Sequence, residues 1–352
     1  MSAALWRPLP WQQELWIELT AQALQQRLSH ALLLFGPAGV GKRWFARALA
    51  AYLLCERRSG YACGECRSCQ QIGAGSHPNA SLLGTDGLLG LAMSENGQRE
   101  QGLVHWQPDA ERKRRDISIE GARKLSERLT LSAHYGGARV ALLDPADALN
   151  ASSVNALLKT IEEPPPATHL LLICERAQAL PATLRSRCQR IRFGMPDADA
   201  ARVWLEAQCG GRGDAEALAA AHGAPLRARA LIEQGALAQQ REWSELWTAV
   251  GRRRKDPVSA AALIERDAVA AHLQWAWGWL HARFRERVLQ QTLDPPALEA
   301  WEQVWAEIAE ANRLVAGNAQ PQLLLESLYA LWLRVGGAAL GPVAARAGTP
   351  AA

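Results

Sequence analysis

Apolar and polar positions follow two periods along this chain, and the switches between them mark its elements. Residues 31–35, ALLLF, form a short apolar run closed by a glycine-rich turn. The stretch after that turn spaces Phe45, Ala48, Leu49, Tyr52 and Leu53 onto one helical face. The order is strand, loop, helix. It recurs as a helix near 118–131, a strand over 138–143, a helix over 151–162 stopped by Pro164, Pro165 and Pro166, and a strand over 169–173. Strands alternating with helices predict a parallel sheet covered on both faces. Between 84 and 116 the rhythm dissolves into glycine and polar residues ending in ERKRRD, which predicts an irregular insertion or hairpin. Beyond residue 195 the strands stop. Residues 197–235 read as a small helical domain and 240–335 as another, interrupted by GRRRKDP at 251–257. The tail, 337–352, reads as disordered.

Composition narrows the class. A chain of 352 residues exceeds what one hydrophobic core normally serves, so it predicts two or three domains. Although 49% of the residues are apolar, the runs ALLLF and HLLLIC fall far short of the ~20 residues that cross a bilayer. The N-terminus has no basic region leading into an apolar one, and the expected location is the cytoplasm. A net charge of +4 does not by itself argue for a nucleic-acid partner. Seven cysteines, four of them between Cys55 and Cys69, suit a metal site in a reducing compartment better than a disulfide framework.

Those four cysteines follow C-x7-C-x2-C-x2-C. The two-residue gaps let a turn present Cys63, Cys66 and Cys69 together with Cys55 to one tetrahedral zinc ion. Four sulfur ligands leave no open position, so the expected role is structural. His77 in GSHPNA is a further candidate ligand, weighed against a plain turn histidine. Cys174, Cys188 and Cys209 are scattered and read as small buried thiols.

GPAGVGKR, residues 36–43, nearly matches the phosphate-binding loop G-x-x-x-x-G-K-[ST]. Gly36, Gly39 and Gly41 allow the backbone to curl around phosphates, and Lys42 is placed to reach the β and γ groups. The last position holds Arg43 where the pattern has a hydroxyl that coordinates magnesium. A second lesion lies at the end of the 138–143 strand: Asp144 is followed by Pro145, where a hydrolase carries a second carboxylate to position water. The loop therefore reads as an ATPase relic without hydrolysis, with ATP binding left open. Arg187, in SRC after the LPATLR helix, is either a surface ion-pair residue or a guanidinium offered to a neighbouring subunit's phosphates.

GPAGVGK, the cysteine cluster, NALLKTIEEPPPATHLLLI (155–173), LPATLRSRCQRIRF (180–193) and NAQPQLLLESLYALWLR (318–334) occur in this order. Over about residues 10–335 the chain resembles the delta-prime family of bacterial DNA polymerase III clamp-loader subunits, in the clamp-loader branch of the AAA+ ATPases. The resemblance implies a P-loop NTPase-like α/β domain over 1–195 with an inserted zinc module at 55–69. A helical lid over 196–238 and an all-α collar over 239–336 would follow. It implies a heteropentamer with motor subunits and a delta subunit, which opens a ring-shaped sliding clamp and places it on primed DNA. Within it this family acts as a stator, and Arg187 would be an arginine finger acting in trans. Arg43, Pro145 and Glu175, the last standing where motors carry a polar sensor residue, depart from the motor pattern. Arg227 falls near the lid's phosphate-sensing arginine. Two rivals are an ATP-hydrolysing motor subunit and a zinc-containing DNA-binding regulator, the latter on the basic runs 111–115 and 251–255. Trp275, Trp277 and Trp279 read as core and interface packing rather than base stacking.

Overall fold

Alternation along the strands builds two hydrophobic layers from a single sheet. In β1 (Ala31–Phe35), Leu32 and Leu34 enter one layer while Ala31 and Leu33 enter the other. The structure, a computed structural model, describes residues 6–93, 103–108, 116–130, 137–210, 214–315 and 319–340. These fall into two compact units, one of residues 1–214 with 223–229, the other of 215–222 with 230–352.

The first unit opens with α1 (Gln13–Leu24) and β1, followed by α2 (Lys42–Leu54) and α3 (Arg67–Gly73). Then come β2 (Ala80–Gly84), β3 (Gly87–Gly90), β4 (Val104–Trp106), α4 (Ile119–Thr130), β5 (Arg139–Leu143) and α5 (Ala151–Glu162). It continues with β6 (Thr168–Cys174), α6 (Ala182–Arg185), β7 (Gln189–Arg192) and α7 (Ala198–Cys209). The sheet order is β4-β3-β2-β5-β6-β1-β7. Five strands, β2, β5, β6, β1 and β7, run parallel, as the strand and helix alternation requires. The sheet is not wholly parallel: β3 turns back on β2, and β4 on β3, both antiparallel. These two strands lie inside the expected irregular stretch 84–116, while ERKRR at 111–115 lies outside the described residues. On one face Val140, Leu142, Leu171 and Ile173 pack under α2; on the other Ala141, Leu143, Leu170 and Leu172 pack under α5. The start of α5 is set by Asn150, whose side chain accepts from Ser153 N at 2.9 Å, and the prolines after Glu163 prevent its continuation.

Helices α8 (Asp214–Ala220), α9 (Pro225–Glu233), α10 (Ala236–Gly251), α11 (Pro257–Ala261), α12 (Val269–Leu289), α13 (Pro295–Val315) and α14 (Pro321–Leu340) complete the chain. The last runs to Leu340, and residues 341–352 lie outside the described residues. The core of the second unit is aromatic. Trp247 Nε1 donates to His272 Nε2 at 3.0 Å, Tyr329 OH lies 2.9 Å from the same nitrogen, and Trp332 Nε1 donates to the Trp247 carbonyl at 2.7 Å. Burial drives His272 down to about 3, so the ring is neutral. Trp275 and Trp279, four apart on α12, stack at 5.8 Å and share the inward face, whereas Trp277 is 38% exposed. No described helix is long and apolar enough to cross a membrane.

Candidate functional site

The phosphate-like loop joins β1 to α2, and its glycines are required by geometry. A Cβ on Gly36 would lie 2.1 Å from the Phe193 carbonyl oxygen, and Gly39 and Gly41 have φ of 76° and 96°, where L side chains are strained. Gly41 caps α2. The loop has the shape of a phosphate cradle, but its own side chains use it. Lys42, 6% exposed, turns its Nζ onto the carbonyls of Gly36 and Pro37, both at 2.6 Å. Burial lowers its pKa against the opposing pull of Glu175.

Arg43 completes the change. Its Nε donates to both Asp144 oxygens, at 2.7 and 3.0 Å, and Asp144 is fully buried while the arginine side chain is 46% exposed. Burial opposes the guanidinium charge, but the bond and charge of Asp144 outweigh it and hold the Arg43 pKa above its ordinary value. In a hydrolase the hydroxyl at the Arg43 position and the carboxylate at the Asp144 position hold magnesium between them. Here a protein-borne cation is bonded to that carboxylate. Pro145 follows through a cis peptide and contributes no carboxylate. Asp147 accepts from Glu175 N at 3.3 Å, and its other oxygen is buried without a partner. The carboxylates of Asp147 and Glu175 both pull the Lys42 pKa upward, against its burial.

Two further contacts were not legible in the sequence. Trp11 Nε1 and Gln12 Nε2 both donate to the Val40 carbonyl, at 3.0 and 3.1 Å, and Leu9 and Gln12 fill the space a Cβ on Gly41 would take. From the other side Leu226 N donates to Gly39 O at 3.1 Å, and the Arg227 Cβ stands 3.0 Å from where a Gly39 Cβ would be. Arg227 is therefore beside the loop.

The cysteines converge. Sγ atoms of Cys55, Cys63, Cys66 and Cys69 all lie within 4.8 Å of one another, with Cys55 to Cys66 and Cys63 to Cys69 both at 3.9 Å. Tetrahedral zinc with Zn–S near 2.3 Å separates its sulfurs by about 3.8 Å, so the four fit that ion. Amides also point at sulfur: Cys63 N to Cys55 Sγ at 3.3 Å, Cys66 N to Cys63 Sγ at 3.3 Å and Cys69 N to Cys66 Sγ at 3.5 Å. Burial raises the Cys55 and Cys69 thiols, whereas at Cys63 the amides of Glu65 and Cys66 overcome it and pull the thiol down to about 6. His77 is not among the ligands. It is 4% exposed and bonded to Ser68 Oγ at 2.9 Å and to Asn79 N at 3.1 Å.

Arg187 lies away from both centres, on the turn between α6 and β7. Its Nε donates to Glu162 at 2.6 Å and its Nη1 to the Thr183 carbonyl at 2.7 Å, with the side chain 38% exposed. Cys174 and Cys188 are buried, which pushes their thiols up to about 12 and about 11, and Cys209 is half-buried. In the second unit Arg253, Arg254, Lys255 and Arg334 line an open hollow of about 540 Å³.

Residues 11–197 match the sequence model of a protein family described as DNA polymerase III, delta subunit. DNA polymerase III subunit delta' of Pseudomonas aeruginosa is 38% identical over 236 residues, 66% of this chain and 63% of that protein. The proteins of that name from Yersinia pestis and Escherichia coli K12 are 34% and 33% identical, over 64% of this chain and 61% and 60% of theirs. The chain thus spans 60% to 63% of the length of these three relatives. A solved structure of a DNA polymerase III gamma subunit-related protein from Thermotoga maritima is 15% identical with a TM-score of 0.45, covering 92% of this chain and 99% of that one. That likeness adds nothing to the strand order given above.

Proposed function

The chain belongs to the family described as DNA polymerase III, delta subunit, and on that premise we propose that it is a non-hydrolysing stator of a clamp-loading assembly in the cytoplasm. The observation that carries this reading is the Arg43 to Asp144 ion pair. A magnesium ion needs that carboxylate free and a hydroxyl beside it, and the chain supplies neither. Lys42, bonded to its own loop, and the carboxylates of Asp147 and Glu175 act in the same direction, since each disfavours a bound triphosphate. Gly36, Gly39, Gly41 and Lys42 thus form a structural relic of an ATP site.

The function left to this subunit is exerted on its neighbours. Arg187 is solvent-accessible, always charged and ion-paired with one exposed carboxylate, a contact weak enough to be exchanged for a phosphate. It would serve the adjacent motor subunit's ATP as an arginine finger. The four cysteines would hold a structural zinc ion, which closes its coordination sphere on sulfur and does no chemistry. Residues 1–195 would be the AAA+ core, 196–238 the lid carrying Arg227 to the loop, and 239–336 the collar. Partners would be the motor subunits, a delta subunit, the sliding clamp and, through the complex, primed DNA.

DNA-stimulated ATP turnover by the reconstituted assembly tests this. The chain alone turns over no ATP, and Arg187→Ala lowers turnover of the assembly by at least about tenfold while all subunits still co-elute. Unchanged turnover in an intact assembly would remove Arg187 from the mechanism.

A further inference from the structure

The four sulfurs belong to different elements: Cys55 caps the end of α2, while Cys66 and Cys69 lie at the start of α3. An ion would tie the two elements together, but the chain also ties them itself, through Ser68 between the two α3 cysteines. The Ser68 amide donates to Glu56 Oε1 at 3.3 Å and its hydroxyl to the Leu54 carbonyl at 2.7 Å, so one residue grips both neighbours of Cys55. Ser68 is 4% exposed, which shields these bonds from water.

The serine is held in turn by His77. Asn79 N donates to His77 Nδ1 at 3.1 Å, and because an amide can only donate, the proton of the neutral ring sits on Nε2, 2.9 Å from Ser68 Oγ. The hydroxyl proton is committed to Leu54, so Oγ accepts from the ring. Burial lowers the His77 pKa to about 4, against the pull of Glu56, and keeps the ring neutral. Each bond from Asn79 through His77 and Ser68 to Leu54 therefore has one direction. Beyond it the Asn79 carbonyl accepts from Val140 N of β5 at 2.9 Å, so the chain of bonds runs from the end of α2 past the cysteines to the sheet. The segment between Cys55 and Cys63 is fastened separately, by Trp16 Nε1 to Gly60 O at 2.9 Å and Gln13 Nε2 to Tyr61 OH at 3.0 Å. Those two contacts do not reach α3. We propose that Ser68 and His77 are positioning residues for the metal: without touching it they hold Cys55 against Cys66 and Cys69, so the ion meets sulfurs already near its tetrahedral geometry. The inference rests on the zinc reading above and goes beyond it, since neither residue is a ligand.

Competition between the full chain and a chromophoric chelator for zinc tests it, with the absorption spectrum of the cobalt-substituted protein read alongside. The unaltered chain takes up one zinc ion. Ser68→Ala and His77→Leu still take up one, about tenfold more weakly, and the double variant loses little more than either because the two residues act in series. His77→Gln, whose side-chain amide donates to Ser68 as Nε2 does, recovers most of the affinity. His77→Asn keeps an acceptor for Asn79 N but falls short of Ser68, and does not. The thiolate-to-cobalt band of Ser68→Ala shifts, which a loss of overall stability would not produce. Affinities within about twofold of the unaltered chain, full affinity in His77→Asn, an unchanged cobalt band, or additive losses in the double variant would each overturn the inference and leave the zinc reading standing. An unaltered chain that takes up no zinc would overturn both.

Discussion

The two ends of α2 answer the same electrostatic problem in opposite ways. At its C-terminal end the chain gathers four sulfurs whose spacing suits a metal ion that must come from outside. At its N-terminal end the chain brings its own cation, Arg43, to a carboxylate 101 residues away. The first arrangement would gain structure by recruiting an ion. The second already holds a cation supplied by the chain itself. The difference teaches that a buried carboxylate can be satisfied by a charge tethered to the chain as well as by an ion from solution.

Removing a sulfur should have the largest effect. Cys66 both belongs to the cluster and caps α3, so Cys66→Ser is expected to lose the metal and a share of the ~10–16 kcal/mol that structural zinc sites contribute. Zinc stoichiometry and melting temperature fall together; full metal content and an unchanged melt in the variant would break the comparison. Next comes the tethered cation. Arg43→Ala removes the guanidinium from a fully buried carboxylate, which costs roughly 3 kcal/mol, the low end for a broken buried pair because the arginine is half-exposed. Asp144→Asn leaves a cation that can turn to water and costs less. Urea denaturation of both variants gives the order, and equal losses would contradict it.

A third ionisable centre sharpens the contrast, because His272 is buried with no cation at all. Its folded pKa of about 3 lies below the unfolded value of about 6.5, so the unfolded chain binds the extra proton between them. Stability conferred by the neutral ring is present above pH ~6.5 and lost as pH falls toward 3, by about 2 kcal/mol at pH 5. Chemical denaturation from pH 8 to 5 should show that slope, and His272→Gln should flatten it.

Much of this was legible in the sequence, and the misses have physical causes. β1, α2, α4, β5, α5 and β6 combine strong periodicity with clear stops, and each lies within two residues of its expected bounds where bounds were given. The cysteine spacing carried its own geometry. β7, QRIR, has one buried residue and no pattern of its own; its place comes from pairing with β1. β2 and the antiparallel β3 and β4 are short pieces whose partners define them. The Val40 clasp by Trp11 and Gln12 and the Arg43 to Asp144 pair join residues far apart in sequence, where no local pattern speaks.

Helix α2 has one more consequence. All of its 13 residues except Arg43 are buried, and at 1.5 Å per residue it is a rod of about 20 Å. It acts as a fixed ruler between the phosphate-like loop and the cysteine cluster, so lengthening or shortening it by one residue would rotate one end against the other by about 100°. Insertions there should be far less tolerated than in the exposed segment 56–60 that follows it.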